Sequence, residues 1–276
     1  MKFSLILATY GRTEDLYRLF DSLLTQTFKN FEVIVIDQNG NDIVGSIISK
    51  YSSELDIKLI ESRKGLSIAR NLGIRNATGD IFCFPDDDCW FPPELLSSVC
   101  HFLKQNSNLN GISIRCLDED CNDSMGKWRM KSEIIDKKNI WTSAVSIGVF
   151  LKNDYVLANH FFNEDLGVGA PSIWQSGEET DYLLNLILKF NYNILYYPDL
   201  YIHHPSKNDP ELMLKRAYPY GCGMGYVLKL HDYDIVTVLK FLIRPIIASV
   251  FFVFNRKKST FYFKNFKGRV RGYFES

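Results

Sequence analysis

The sequence predicts an α/β protein: a Rossmann-like, mostly parallel sheet flanked by helices, with a C-terminal helical extension. Three observations predict it. Short apolar runs rich in Ile and Val recur through the first half of the chain, stretches of helical period separate them, and the end of the chain turns basic and aromatic. Parallel strands covered by helices on both faces read as continuous apolar runs rather than alternating ones.

Residues 3–8 and 32–37 are the first two such runs, and between them Leu16, Leu19, Phe20, Leu23 and Leu24 recur at helical spacing. A helix ending near Tyr51 leads to a third strand at 57–61. Another helix fits 67–76, closed by the Thr78-Gly79 turn, and a fourth strand fits 81–85. This alternation implies right-handed βαβ units. Pro92-Pro93 suit the first turn of the next helix, where an N–H has no intrahelical partner in any case. The pattern then becomes irregular. Strands are expected at 112–116 and 142–151, on either side of a polar stretch, 118–138, that reads as a mobile loop. A helix at 178–190 and a strand at 193–197 follow.

A length of 276 residues, 46% of them hydrophobic, suffices for one sizeable core plus a small appendage. Basic and acidic residues balance at 32 each, so no overall field attracts nucleic acid, which is not an expected partner. The six cysteines lack zinc-ribbon spacing and read as reduced core residues, with a Cys116–Cys121 redox pair as the alternative. The apolar run 3–8 is too short for a signal peptide and is followed at once by Arg12, Glu14 and Asp15, so a cytoplasmic location is expected.

Ligands of open parallel sheets bind outside the carboxyl ends of the strands. Three predicted strand ends carry polar groups: Thr9-Tyr10, Asp37 and Asp86-Asp87-Asp88. The first turn, Ala8-Thr9-Tyr10-Gly11-Arg12, lacks the G-x-G-x-x-G fingerprint of dinucleotide sites. Three successive aspartates repel one another unless a cation intervenes. Their oxygens suit Mg²⁺ or Mn²⁺, which can share its sphere with a diphosphate. The alternative is a solvated acidic turn in which Asp88 caps the following helix.

Four ordered motifs resemble glycosyltransferase family 2, of GT-A fold: Phe3-Ser-Leu-Ile-Leu-Ala-Thr-Tyr-Gly-Arg12, Glu32-Val-Ile-Val-Ile-Asp37, Gly65-Leu-Ser-Ile-Ala-Arg-Asn71 and Gly79-Asp-Ile-Phe-Cys-Phe-Pro-Asp-Asp-Asp88. The similarity runs from residue 3 to about 205. It implies an inverting transferase of the bacterial surface-polysaccharide type, using a nucleotide-sugar donor (a UDP-sugar first) and a divalent metal, Mn²⁺ or Mg²⁺. By resemblance, Asp88 is the direct metal ligand and Asp86 and Asp87 support the ion or the donor. Thr9, Tyr10 and Asp37 line the nucleoside pocket, and Arg12 and Arg70 complete the donor side. Many members carry a second acid after the Asp37 position, where this chain has Gln38-Asn39.

Ser176-Gly-Glu-Glu-Thr-Asp-Tyr182 resembles the family's Glu-Asp motif, which supplies the base in inverting members. Glu179 is the implied base and Asp181 the second candidate, since inversion needs a carboxylate to take the acceptor's proton. Helix-dipole stabilisation alone would also favour acids in a first turn. After the next strand comes His203-His204-Pro205. The family often places a histidine near the metal here, and His204 fits that position better than His203. The alternative is an ordinary hydrogen-bonding histidine.

The domain boundary is expected between residues 208 and 209: a transferase domain at 1–208 and a helical, basic-aromatic segment at 209–276. Residues 235–254 are almost wholly apolar but contain Lys240, Arg244 and Pro245, which disfavour a full membrane span. An interfacial helix pair fits better, with the later lysines and arginines facing anionic lipid on the inner face of the membrane. It would bring the enzyme to a lipid-linked glycan acceptor. Packing on the catalytic domain or on a second copy of the chain is the alternative. Two rival functions are a sugar nucleotidyltransferase, which would need a basic Gly-rich loop that Gly11-Arg12 poorly supplies, and a non-catalytic sugar-binding protein on the same fold.

Overall fold

The computed structural model describes residues 1–206 and 209–275, so the 208/209 boundary falls partly outside the described residues. The chain divides into two compact units, each continuous in space but not in sequence. The first comprises residues 1–64, 68–161 and 183–206; the second gathers 65–67, 162–182 and the C-terminal helices.

In the first unit, strands β1 (Phe3–Thr9), β2 (Phe31–Asp37), β3 (Ile57–Glu61) and β4 (Ile81–Cys83) alternate with helices α1 (Glu14–Leu24), α2 (Ile43–Ile48) and α3 (Leu66–Asn76). β1 lies between β2 and β4 and is parallel to both, and β3 extends β2 in parallel. After α4 (Leu95–Gln105) come β5 (Gly111–Leu117), β6 (Glu133–Ile134), α5 (Ile140–Ser143), β7 (Val149–Lys152), α6 (Tyr155–Asn159), α7 (Glu178–Phe190) and β8 (Ile194–His203). The eight strands form one sheet in the order β3-β2-β1-β4-β7-β5-β8-β6. β7 is antiparallel to β4 and β5, β8 is parallel to β5, and β6 is an antiparallel edge on β8. The mixed, mostly parallel α/β architecture is the one expected.

Alternate residues of β1 explain its central place. Phe3, Leu5 and Leu7 join one core cluster with Leu16, Leu19, Phe20 and Leu23 of α1 and Leu96, Val99 and Leu103 of α4, all buried. Full burial of each such side chain contributes about 1.5–3 kcal/mol.

The turn into β4 is held by a part-buried polar cluster. Glu32 accepts hydrogen bonds from Lys2 Nζ (2.8 Å), Ser4 Oγ (2.5 Å) and Thr78 N (2.7 Å). Ser4 Oγ also receives Gly79 N–H at 2.8 Å. A Cβ on Gly79 would lie 2.7 Å from Ser4 N and 2.8 Å from Lys2 O, so only glycine lets the turn press against β1 there. Burial alone would raise the Glu32 pKa, but the bonds from Lys2, Ser4 and Thr78 prevail and hold it at about 2.

Several element boundaries differ from expectation. The fourth strand stops at Cys83 rather than continuing to residue 85, although Asp86 still bridges Ala8 in parallel. The run 142–151 is not one strand. It contains the end of α5, a 3₁₀ turn at Ser146–Gly148, and β7 only from Val149. A short apolar run does not by its periodicity distinguish a buried helical turn from a strand. The stretch 118–138, expected as a mobile loop, carries β6 and is tied down: Trp128 Nε1 donates to Ser124 O at 2.8 Å, and its ring stacks on Tyr196. The strand expected at 193–197 runs on to His203, which delivers the two histidines.

In the second unit, α8 (Pro210–Leu230), α9 (Ile235–Phe251) and α10 (Arg256–Phe274) form the expected helical extension. Asp209, Asp234 and Asn255 cap their N-termini by accepting backbone N–H groups. α8 and α10 meet backbone to backbone: a Cβ on Gly221 or Gly225 would overlap Asn265 O or Arg269 O, and one on Gly268 or Gly272 would overlap Tyr218 O or Cys222 O. α8 also packs on the loop that precedes α7. Ser176 Oγ donates to Tyr220 O at 2.8 Å, and Trp174 stacks on Tyr226 with ring centroids 3.9 Å apart. All six cysteines are free, with Cys116 buried and Cys121 exposed, so the redox pair is not formed. Among the described residues no helix is long and apolar enough to cross a membrane.

Candidate functional site

The three strand ends converge in the first unit. Thr9 at the end of β1 lies opposite Asp37 at the end of β2, and Ala8 bridges Asp86 just beyond β4. The parallel register therefore places Thr9, Asp37 and the aspartate triplet along one edge of the sheet.

The three aspartates have different environments. Asp87 is buried and accepts hydrogen bonds from Thr9 Oγ1 at 2.9 Å and Arg12 Nη1 at 2.7 Å. Burial pushes its carboxyl up to about 6; Arg12 opposes the rise, and the charges of Asp86 and Asp88 add to it. Asp88 is 1% exposed, with Arg12 Nη1 at 2.6 Å from Oδ2 and His204 Nε2 at 3.3 Å from Oδ1. Asp86 is half-buried, with Arg70 Nη2 at 3.6 Å. Arg70 is itself buried and donates to Ser146 Oγ at 2.8 Å. Burial would lower the Arg12 pKa, but the neighbouring aspartates outweigh it and raise the value, so the guanidinium stays charged.

Asp88 does not cap α4, whose N-cap residue is Glu94. It turns inward instead, unlike a side chain of a solvated acidic turn. One ligand atom each from Asp86, Asp88 and His204 can be chosen so that all lie within 4.8 Å of one another. Two carboxylates and an imidazole at this range are a donor set for a divalent cation, with the oxygens suiting Mg²⁺ or Mn²⁺ and the imidazole favouring a transition metal.

The two histidines diverge. His204 N donates to Leu117 O at 2.9 Å and its ring faces Asp88. His203 stacks on Trp90, with ring centroids 4.8 Å apart and planes at 5°, and its Nδ1 lies 3.1 Å from Asp118 O. Trp90 and His203 also exchange backbone hydrogen bonds of 3.1 and 3.0 Å. The Arg18 guanidinium lies 4.0 Å from the Trp90 ring centroid, and Arg18 Nη2 donates to Asp88 O at 3.2 Å. Arg18 and Trp90 were not among the residues expected at the site. A lone arginine on a helix and a tryptophan after the triplet carry no sequence signal that separates them from surface and core.

Asp37 Oδ1 accepts from Asn39 N at 2.8 Å and Asn39 Nδ2 at 2.7 Å, and Asn39 Oδ1 accepts from Gly11 N at 2.7 Å. Asn39 thus ties the β1 and β2 ends together. Tyr10 is 50% exposed, with Lys64 Nζ 4.0 Å from its ring centroid.

The acidic start of α7 belongs to the second unit. Glu178 is buried against Gly167, Asp181 is buried with His231 Nε2 at 2.7 Å from its Oδ1, and Glu179 is half-buried, the most accessible of the three. Gly167, Gly169 and Gly177 have φ of 105°, 79° and 90°, which favour glycine. They shape a bonded loop: Gly167 N donates to Trp174 O and Gly169 N to Gln175 Oε1, both at 2.9 Å. Of the residues expected at the site, the first unit brings together Thr9, Arg12, Arg70, Asp86, Asp87, Asp88 and His204, with Tyr10 and Asp37 at the adjoining strand ends. The second unit sets Glu179 and Asp181 in one helical turn. His231, fifty residues from its partner, was not anticipated.

Comparisons with known proteins bear on the family and the fold. The model of Glycosyl transferase family 2 matches residues 4–150. A GalNAc(5)-diNAcBac-PP-undecaprenol beta-1,3-glucosyltransferase of Campylobacter jejuni is 30% identical over 186 residues, covering 63% of this chain and 58% of that protein. The Escherichia coli UDP-Glc:alpha-D-GlcNAc-diphosphoundecaprenol beta-1,3-glucosyltransferase WfaP is 22% identical over 224 residues, covering 70% of this chain and 89% of that protein. Among solved structures, the mannosyltransferase PcManGT from Pyrobaculum calidifontis in complex with GDP-Man and Mn²⁺ superposes with a TM-score of 0.63 at 14% identity, covering 100% of this chain and 88% of that one, a likeness of fold. Several curated relatives are longer, and the chain spans only 14 to 37% of their length. The family match covers more than half of the 276 residues, and the chain belongs to glycosyltransferase family 2.

Proposed function

We propose that the chain is a metal-dependent, inverting glycosyltransferase. It moves a sugar from a nucleotide-diphosphate sugar, a UDP-sugar first, to a hydroxyl of a lipid-linked glycan in surface polysaccharide synthesis. The observation that carries this is the cluster of Asp86, Asp88 and His204 at the carboxyl ends of parallel strands, where such sheets bind nucleotides. The WfaP name supports the donor, and both curated names support an acceptor carried on diphosphoundecaprenol or its PP-undecaprenol equivalent.

Asp88, Asp86 and His204 would hold the metal, which when bound neutralises the charge of the diphosphate leaving group. Thr9 and Arg12 fix Asp87 beside these ligands, and Arg12 and Arg70 keep positive charge on the donor side. Tyr10 offers a ring face to the nucleobase, and Asp37 a carboxylate to the ribose. Glu179 takes the proton of the acceptor hydroxyl as its oxygen bonds to the anomeric carbon. The bond from that carbon to the diphosphate oxygen breaks, and the nucleoside diphosphate leaves with the electron pair. Asp181, the second candidate base, is engaged by His231 and suits holding the helix start better than proton transfer. The enzyme works at the cytoplasmic face of the membrane, as a peripheral protein.

A panel of UDP-, GDP- and dTDP-sugars with Mn²⁺ or Mg²⁺ tests the reading through binding and slow donor hydrolysis. Metal-dependent hydrolysis of a UDP-sugar that is lost in Asp88→Ala supports it. Absence of binding to every donor in the panel overturns it.

A further inference from the structure

The hairpin of α9 and α10 carries an apolar tip next to a run of cations. Ile247, Val250, Phe251, Val253 and Phe254 are each more than half exposed, and Phe254 is fully so. Arg256, Lys257 and Lys258 follow after Asn255 and are exposed. Between residues 235 and 274 there are nine Lys and Arg and no Asp or Glu, although the whole chain carries 32 of each sign. Arg269 donates to Phe241 O and Arg271 pairs with Glu275; the other seven are exposed.

The tip is also pre-formed. Ser249 Oγ donates to Ser259 O at 3.0 Å and Ser259 Oγ to Ser249 O at 2.9 Å, which clasps the two helices near the turn. Phe252 turns inward, stacked on Tyr262 with Lys258 5.1 Å from its ring centroid, while Phe251 and Phe254 point outward. A soluble helix end would place polar groups where these aromatics stand.

We infer that the α9–α10 tip is a membrane-docking element that inserts Phe251, Phe254 and their aliphatic neighbours at the surface of an anionic bilayer, with Arg256, Lys257 and Lys258 on the lipid phosphates. The charge asymmetry selects this occupant. Seven exposed cations without an acid among them complement an anionic lipid surface, where each Lys or Arg is worth about fivefold in binding. The apolar tip supplies the second anchoring signal that stable surface attachment requires. Because no described helix is long and apolar enough to cross a bilayer, attachment by this hairpin is interfacial. The inference rests on the lipid-linked acceptor reading and specifies how the enzyme reaches that acceptor.

Flotation of the purified full chain with vesicles tests it, using phosphatidylcholine alone or mixed with phosphatidylglycerol, at low and high salt. The wild type is expected to float with the mixed vesicles, less so at high salt. The variant F251S/F254S should bind at least about tenfold more weakly. The variant R256E/K257E/K258E should lose the preference for phosphatidylglycerol. These positions are exposed, and far-UV circular dichroism with UDP binding checks that each variant is folded. Failure of the wild type to float, or equal flotation of F251S/F254S, overturns the inference. So does a dimer that F251S/F254S dissociates while the wild type ignores vesicles, since the tip would then be covered by a second copy. Donor hydrolysis measured without lipid keeps the two readings apart: hydrolysis without flotation overturns the docking element alone.

Discussion

His231 Nε2 lies 2.7 Å from Asp181 Oδ1, and both side chains are buried. The imidazole at the end of α8 thereby holds the turn of α7 that carries Glu179. His231→Ala removes a donor from a buried carboxylate, so a loss of about 3 kcal/mol is expected, read as a lower midpoint in urea. Transfer should fall while UDP binding persists. An unchanged midpoint would show that the pair contributes nothing to the fold.

Glu179→Gln keeps the shape of the side chain and removes its basicity. Transfer should drop about a hundredfold to ten-thousandfold, with the Kd for UDP nearly unchanged. Full activity in this variant would move the proton acceptor elsewhere.

Metal binding can be read without turnover. Titration with Mn²⁺ by calorimetry should give a single site that Asp88→Asn abolishes. His204→Ala should weaken it by about tenfold or more. His203→Ala should have far less effect on Mn²⁺, because His203 faces Trp90 rather than Asp88. Equal effects of the two histidine variants would reject His204 as a ligand.

Trp90 contacts both the Arg18 guanidinium and the His203 ring. Trp90→Ala loses a cation–π contact and an aromatic stack, each about 0.5–1.5 kcal/mol, and frees the strand end that precedes His204. Weaker Mn²⁺ binding in Trp90→Ala, recovered in Trp90→Phe, is the expected outcome. If Mn²⁺ affinity is the same in both, the stack does not position the site.

Glu32 gives a pH test away from the site. Its folded pKa, about 2, lies below the ordinary carboxylate value of 4.5, so its contribution is present above that value and disappears as pH falls towards about 2. Glu32→Gln should cost about 1–3 kcal/mol at neutral pH, with the gap to the wild type closing over that acid range. A gap independent of pH would mean that the Lys2, Ser4 and Thr78 bonds do not depend on the charge.

The alternating half of the fold was legible because each of its elements has one period. β3 and α7 begin and end at the expected residues, and β1, β2 and α3 within one. Nonpolar side chains must leave water together, so residues 2 apart in a strand or 3–4 apart in a helix reveal the buried face. The same rule failed at 142–151, where a short apolar run folds as a helical turn, a 3₁₀ turn and a strand in succession.

By itself the sequence placed the ends of β1, β2 and β4 to within two residues, and with them the aspartate triplet, Thr9 and Asp37. A parallel strand delivers its last residue to a fixed edge of the sheet, and the acids at the start of α7 stand out separately, by their place in a first helical turn. Only the tertiary structure decided how the triplet divides: Asp87 against Thr9 and Arg12, Asp88 against His204, Asp86 beside Arg70. It alone separated His204 from His203 and joined His231 to Asp181. Those choices depend on pairings across 16 to 116 residues, which no local pattern encodes, and they follow from which side chains can satisfy a buried charge.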